Sequence, residues 1–202
     1  MKIMIDLDNV LFKCNSIPYI LGNKLFTMTT FKKPLRYKTI DKEAAKNYKN
    51  LLFFFKFCNK KHLKELENSV SIINNWYNQG HEIHFVSSRP NLKSIQKETV
   101  DWLEEQKVNY DSLIFSCTNK PRFCQRNNFD IIIDDSLSNC IYSSTLNINA
   151  IWLTPKNKFG LYKYIPLYKM HYAINWNQVD SFVQEIYNKS LVNLDENYEL
   201  LQ

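Results

Sequence analysis

Asp6 and Asp8 close an apolar run, with Ile3, Met4 and Ile5 before them, Leu7 between them, and Val10, Leu11 and Phe12 after. Residues i and i+2 of an extended strand point to the same side, so two carboxylates at this spacing repel each other unless a cation lies between them. Hard carboxylate oxygens select Mg²⁺ over zinc. Other apolar runs end in complementary groups. Ser87, Ser88 and Arg89 follow the run 83–86, Lys120 stands between the runs 112–115 and 131–133, and Asp134 and Asp135 follow 131–133. Gathered on one edge, these residues would supply a nucleophilic carboxylate, hydroxyls, two fixed cations and an acidic cradle for a metal, which is the set that phosphoryl transfer requires. A polar turn closing a strand is the plainer account of 6–9 taken alone. It weakens as further strands end in the same chemistry.

For that gathering to occur, the runs must be strands of one sheet. The first strand, 83–86, 112–115, 131–133 and 150–153 are short and apolar, as buried parallel strands are. Helical patterns alternate with them at 62–78 (ended by Gly80), 94–105, 121–127 and 176–188. The alternation predicts right-handed crossovers and an α/β fold, a doubly wound parallel sheet whose ligand edge lies at the carboxyl ends of its strands. The stretch 13–61 breaks the rhythm. It is basic and aromatic, with Phe53, Phe54, Phe55 and Phe57 close together, and it reads as a small helical cap inserted after the first strand. The core then comprises 1–12 and 62–190, and 191–202 is an acidic C-terminal tail.

Composition narrows the class. The chain has 202 residues, 45% of them hydrophobic and 23% charged, which suits one globular domain with an inserted subdomain. No apolar run approaches the roughly 18 residues of a membrane span, and no secretory leader is legible at the N-terminus, so the expected location is cytoplasmic and no membrane partner is expected. Five cysteines at irregular spacing, without a C-x-x-C pair, read as reduced thiols and not as a zinc site. The net charge of +6 favours anionic partners, although the lysines are dispersed and a solvated basic surface accounts for them better than a dedicated nucleic-acid face.

Four motifs in order resemble those of the haloacid dehalogenase (HAD) superfamily of phosphohydrolases: Asp6-x-Asp8-x-Val10, Ser87 at a strand end, Lys120, and Asp134-Asp135 after an apolar strand. A narrower likeness, to the 5′(3′)-deoxyribonucleotidases and related small bacterial and phage nucleotidases, is carried by Val86-Ser87-Ser88-Arg89-Pro90. It is carried also by Lys120 ten residues before Asp130, and by the segments 150–157 and 174–176. Ser87-Ser88 departs from the commoner Thr-Ala of that group but keeps the hydroxyl. The likeness is weakest in the cap.

The resemblance implies a HAD-type Rossmann-like core and a Mg²⁺-dependent phosphomonoesterase. Asp6 would be the nucleophile and Asp8 the acid and base. Ser87, Ser88, Lys120 and Arg89 would bind the substrate phosphate, with Arg89 alternatively holding its own turn. The metal would take Asp6, the Asp8 carbonyl, and Asp134 or Asp135. The implied substrate is a small phosphate ester, a nucleoside monophosphate first, handled by a monomer or homodimer. A phosphatase for polynucleotide 3′ ends and a non-catalytic nucleotide-binding module are the alternatives.

Overall fold

A computed structural model describes residues 1–14, 60–154 and 168–199. The expectations placed on the cap, 13–61, and its phenylalanines fall almost wholly outside these residues. Six strands form one parallel sheet: β1 (Lys2–Ile5), β4 (Glu82–Val86), β5 (Ser112–Ile114), β6 (Ile131–Asp134), β7 (Asn149–Leu153) and β8 (Met170–Ala173), in the order β5-β4-β1-β6-β7-β8. The chain leaves β1 toward one edge and returns to build the other, so the order reverses beside β1. Such a reversal opens a crevice at the carboxyl ends of the strands.

Alternation along β1 divides the core. Ile3 and Ile5 face one layer with Ile73 and Trp76 of α1 (Ser69–Asn78), Ile95, Trp102 and Leu103 of α2 (Lys93–Glu105), and Trp176, Val179 and Val183 of α5 (Trp176–Glu199). Met4 faces the other, with Cys124 of α3 (Lys120–Arg126) and Cys140 of α4 (Leu137–Thr145). Residues 3–5 and 131–133 are fully buried, which explains why both strands read as continuous apolar runs. The result is the expected doubly wound three-layer sandwich.

Four expectations are corrected. The helix expected over 62–78 begins only at Ser69. Leu63–Glu65 instead forms β3, which pairs antiparallel with β2 (Phe12–Cys14), with Phe12 opposite Glu65. Asn68, at φ 65°, separates the ribbon from the helix, and Glu65 Oε1 accepts the Val70 N–H at 3.0 Å. Leu63 and Leu66 extend the three-residue apolar spacing into this segment, and tertiary pairing overrides it. The far end of α1 matches the sequence: Gly80, at φ 84°, and His81 return their N–H groups to the carbonyls of Tyr77 and Trp76, a Schellman closure. Second, 112–115 is an edge strand, half-buried throughout, and not a core strand. Third, α4 and β8 had no counterpart in the apolar pattern.

Fourth, Cys14 is disulfide-bonded, whereas Cys117, Cys124 and Cys140 are free. Irregular spacing does not exclude a bridge, and the expectation of reduced thiols fails at Cys14. Among the described residues no helix is long and apolar enough to cross a membrane.

Candidate active site

Ile5 is in register with Phe85 of β4 and Ile133 of β6, so Asp6 emerges level with Val86 and Asp134. Its N–H continues the ladder to Ile133 O at 3.0 Å, and its Oδ1 accepts the Leu7 N–H at 2.7 Å. The chain then turns sharply through Asn9, at φ 61°, a left-handed conformation that Asn tolerates better than most residues. The Trp176 indole N–H donates to Val10 O at 2.8 Å and pins this turn to α5.

Lys120 opens α3, with Asn119 accepting the Arg122 N–H and Pro121 in the first helical turn. Its ammonium is buried between two carboxylates, 2.7 Å from Asp6 Oδ1 and 2.9 Å from Asp134 Oδ2. Burial alone would depress its pKa. Asp6 and Asp134 outweigh that and hold it above the ordinary lysine range.

Asp134 is fully buried and also receives the Ser136 N–H at 2.8 Å and Asn139 Nδ2 at 3.0 Å. Asp135 accepts from Asn9 Nδ2 at 3.0 Å, and its carbonyl accepts the Trp152 indole N–H at 3.0 Å. Desolvation, helped by Asp134, pushes the Asp135 carboxyl up to about 6. Burial raises Asp6 well above its ordinary range. Lys120 opposes the rise, while Asp134, Asp135 and Asp8 add to it.

Asp6, Asp134 and Asp135 present oxygens within 4.8 Å of one another, a set that could hold a metal ion. Their chemistry fits a hard divalent cation. Four carboxyl groups, Asp6, Asp8, Asp134 and Asp135, meet two cations, Lys120 and Arg89, a surplus of acidic groups that a further cation would offset.

Asp8 and Arg89 form an adjoining unit. Arg89 Nε and Nη2 each meet a separate oxygen of Asp8 at 2.7 Å, and the guanidinium is fully buried. Ser87, also buried, accepts the Arg89 N–H at 3.1 Å, which leaves its O–H proton to donate. Ser88 is exposed.

Of the eight residues singled out in the sequence, the cluster unites Asp6, Lys120, Asp134 and Asp135, with Asp8, Ser87 and Arg89 beside it and Ser88 turned to the surface. The sequence reasoning missed Asn9, Asn139, Thr99 and Trp152. Asn139 was recoverable: Ser136 caps α4 and Asn139 follows at its third position. Asn9 was recoverable as a left-handed former directly after the paired carboxylates. Nothing local marks Trp152 or Thr99.

No family model matches the sequence, and no curated protein is similar to it. Solved structures are similar in fold. A HAD phosphatase from Thermococcus onnurineus matches with a TM-score of 0.55 at 13% identity, over 91% of this chain and 98% of its own. A β-phosphoglucomutase from Clostridium difficile gives 0.58 at 14%, over 95% and 98%, and a HAD-superfamily hydrolase from Ehrlichia chaffeensis 0.53 at 10%, over 92% and 97%. At such identities the likeness speaks for architecture: the chain has the α/β, Rossmann-like fold of the HAD-superfamily hydrolases.

Proposed function

We propose that the protein is a Mg²⁺-dependent phosphomonoesterase working through an aspartyl-phosphate, with small phosphate esters, nucleoside monophosphates first among them, as substrates. The observation that carries this reading is the buried Lys120 ammonium held between Asp6 and Asp134, at 2.7 and 2.9 Å, on the carboxyl edge of the sheet. A nucleophile, a fixed cation and an acidic cradle share one edge there, and the likeness to HAD phosphatases in fold agrees with it. That fold also houses a phosphoglucomutase, so the chemistry is argued from the residues.

Asp6, one or both of Asp134 and Asp135, and the Asp8 carbonyl would hold Mg²⁺. The ion would neutralise carboxylate and phosphoryl charge. An Asp6 carboxylate oxygen attacks phosphorus in line. The bond from phosphorus to the ester oxygen breaks, and that oxygen takes the proton carried by Asp8. In the second step the ionised Asp8 takes a proton from water, and the resulting hydroxide attacks phosphorus. The bond to Asp6 breaks, releasing orthophosphate and restoring both carboxyl groups. Lys120 and the Ser87 hydroxyl would stabilise charge on the equatorial oxygens.

The choice of nucleotides rests on the likeness of Val86-Ser87-Ser88-Arg89-Pro90 to the deoxyribonucleotidase turn and on the net charge of +6. The experiment is phosphate release over all ribo- and deoxyribonucleoside monophosphates, oligonucleotide 3′-phosphates and simple alkyl phosphates, with and without Mg²⁺, using wild type and Asp6→Asn. Mg²⁺-dependent release that falls at least about a thousandfold in Asp6→Asn is expected. Retention of activity within about tenfold refutes the nucleophile. A salt-sensitive preference for oligonucleotides transfers the assignment to polynucleotide ends.

A further inference from the structure

Arg89 is a charged side chain enclosed on every side. Its Nε and Nη2 grip Asp8 Oδ2 and Oδ1, both at 2.7 Å, in the two-pronged geometry that a guanidinium offers and an ammonium does not. Its Nη1 donates to Thr99 Oγ1 at 3.0 Å, and that hydroxyl donates in turn to Ile95 O within α2 at 2.8 Å. The Phe12 ring covers the guanidinium at 4.8 Å and is itself met edge-on by Trp102 at 4.8 Å. The backbone is held as well: Arg89 N–H donates to Ser87 Oγ at 3.1 Å, and Arg89 O accepts from Ser116 N at 2.9 Å. A side chain with no exposed surface and this many anchors could reach a substrate phosphate only by abandoning Asp8. Asp8, 18% exposed, is the member of the pair that meets solvent.

An ionised carboxylate offers about four lone-pair sites. Arg89 occupies one on each oxygen, so a proton can be exchanged only through lone pairs turned away from the guanidinium. We infer that Arg89 is a positioning residue. It fixes the plane of the Asp8 carboxyl, so that the proton delivered to the ester oxygen, and later recovered from water, travels along one direction, and it does not bind the transferred phosphate. This rests on the phosphomonoesterase reading above, in which Asp8 is the acid and base.

The test compares Arg89→Lys, Arg89→Ala and Thr99→Val with wild type on two probes in the presence of Mg²⁺. p-Nitrophenyl phosphate has a leaving group that departs without a proton. β-Glycerophosphate has an alkoxide that must be protonated. Because kcat/KM covers phosphoryl transfer to Asp6 but not the later hydrolysis, it isolates the protonation step. For both Arg89 variants, kcat/KM should fall about a hundredfold on β-glycerophosphate and less than about fivefold on p-nitrophenyl phosphate. The inhibition constant for orthophosphate should stay within about threefold of wild type. Thr99→Val, which keeps the shape and removes one anchor, should show the same bias at about three- to tenfold, and it stands as the test if the Arg89 variants do not fold.

Equal losses on both probes overturn the inference. A weakened orthophosphate constant then makes Arg89 a phosphate ligand, and an unchanged one makes it structural. Absence of Mg²⁺-dependent turnover of either probe by the wild type overturns the reading of the whole site, an outcome distinct from both.

Discussion

Lys120→Met is the sharpest perturbation of the cleft, because it removes the buried cation between Asp6 and Asp134 and keeps much of the side-chain volume. Breaking a buried pair from one side typically costs about 3–5 kcal/mol, since the charge left behind has no partner. Part of that cost is escaped by protonation of Asp6, which is already displaced upward by burial. A carboxyl whose folded pKa lies above its unfolded value loses stability as pH rises through that window. The variant's deficit should therefore be larger near pH 8 than near pH 5.

A divalent ion should repair much of it. With Lys120 Nζ at 2.7 Å from Asp6 Oδ1 and a metal about 2.1 Å from either oxygen of that carboxylate, the two cations would lie at most about 7 Å apart. At an effective dielectric of about 20 their repulsion would be roughly 5 kcal/mol, and even a third of this is a tenfold gain in affinity once the lysine is gone. Calorimetric Mg²⁺ titration and urea denaturation with and without Mg²⁺ measure both quantities. We expect Lys120→Met to bind Mg²⁺ at least about tenfold more tightly than wild type while losing phosphatase activity by about a hundredfold or more. Equal or weaker Mg²⁺ binding, or undiminished stability without the ion, would refute the view that Lys120 and the metal neutralise the same carboxylates.

Asn9 separates conformation from contact. Asn9→Gly keeps the left-handed turn and loses the amide held by Asp135, so Mg²⁺ affinity should fall about tenfold at little cost in stability. Asn9→Ala should lose the same affinity and about 1 kcal/mol more in urea denaturation, and unchanged affinity in both would mean that Asn9 does not orient Asp135. His171, whose ring packs on Phe182 at 4.7 Å, is held below its ordinary pKa by burial, against the opposing pull of Glu185 and with a smaller push from Lys189. Below about pH 6.5 the unfolded chain takes a proton that the folded chain resists, so stability falls as pH drops, and His171→Phe should flatten that slope. An unchanged slope between about pH 7 and 5 would remove His171 from the account.

The strands that bear the chemistry were legible because buried parallel strands must be apolar along their whole length, so a charge at the end of such a run stands out. Asp6 and Asp134 were found in this way, and with them the edge of the sheet, whereas Lys120, between two runs, was singled out by its match to the third motif of the resemblance. The elements that escaped lack that contrast. The buried residues of α4 are Cys140, Ser143 and Ser144, too polar to produce a helical apolar period. β8 is a half-buried strand of mixed character, Met-His-Tyr-Ala. The β2–β3 ribbon joins segments fifty residues apart, and its second strand continues the spacing of the helix that follows. The two roles left open for Arg89 were not separable either: spacing placed it after Ser87, but only the fold brings Asp8, Thr99 and Phe12 around its guanidinium.

The ribbon that bounds the long segment after β2 is held by contacts of the same kind. The long segment between β2 and β3 departs and returns through a ribbon whose strands are hydrogen-bonded to each other and whose base is held by the core. Leu66 N–H donates to Leu11 O at 2.9 Å, the Trp102 indole N–H donates to Leu63 O at 3.2 Å, and Lys60 N–H donates to Glu98 Oε2 at 2.8 Å. With the ends so fixed, lengthening the segment between them costs only about 0.6 kcal/mol for each doubling, so its length can change greatly without disturbing the carboxylates. It is not isolated from them. Phe12, which begins the ribbon, is the ring that covers Arg89, and Arg89 holds Asp8. One aromatic face and one guanidinium therefore connect the ribbon to Asp8, the acid and base of the proposed reaction.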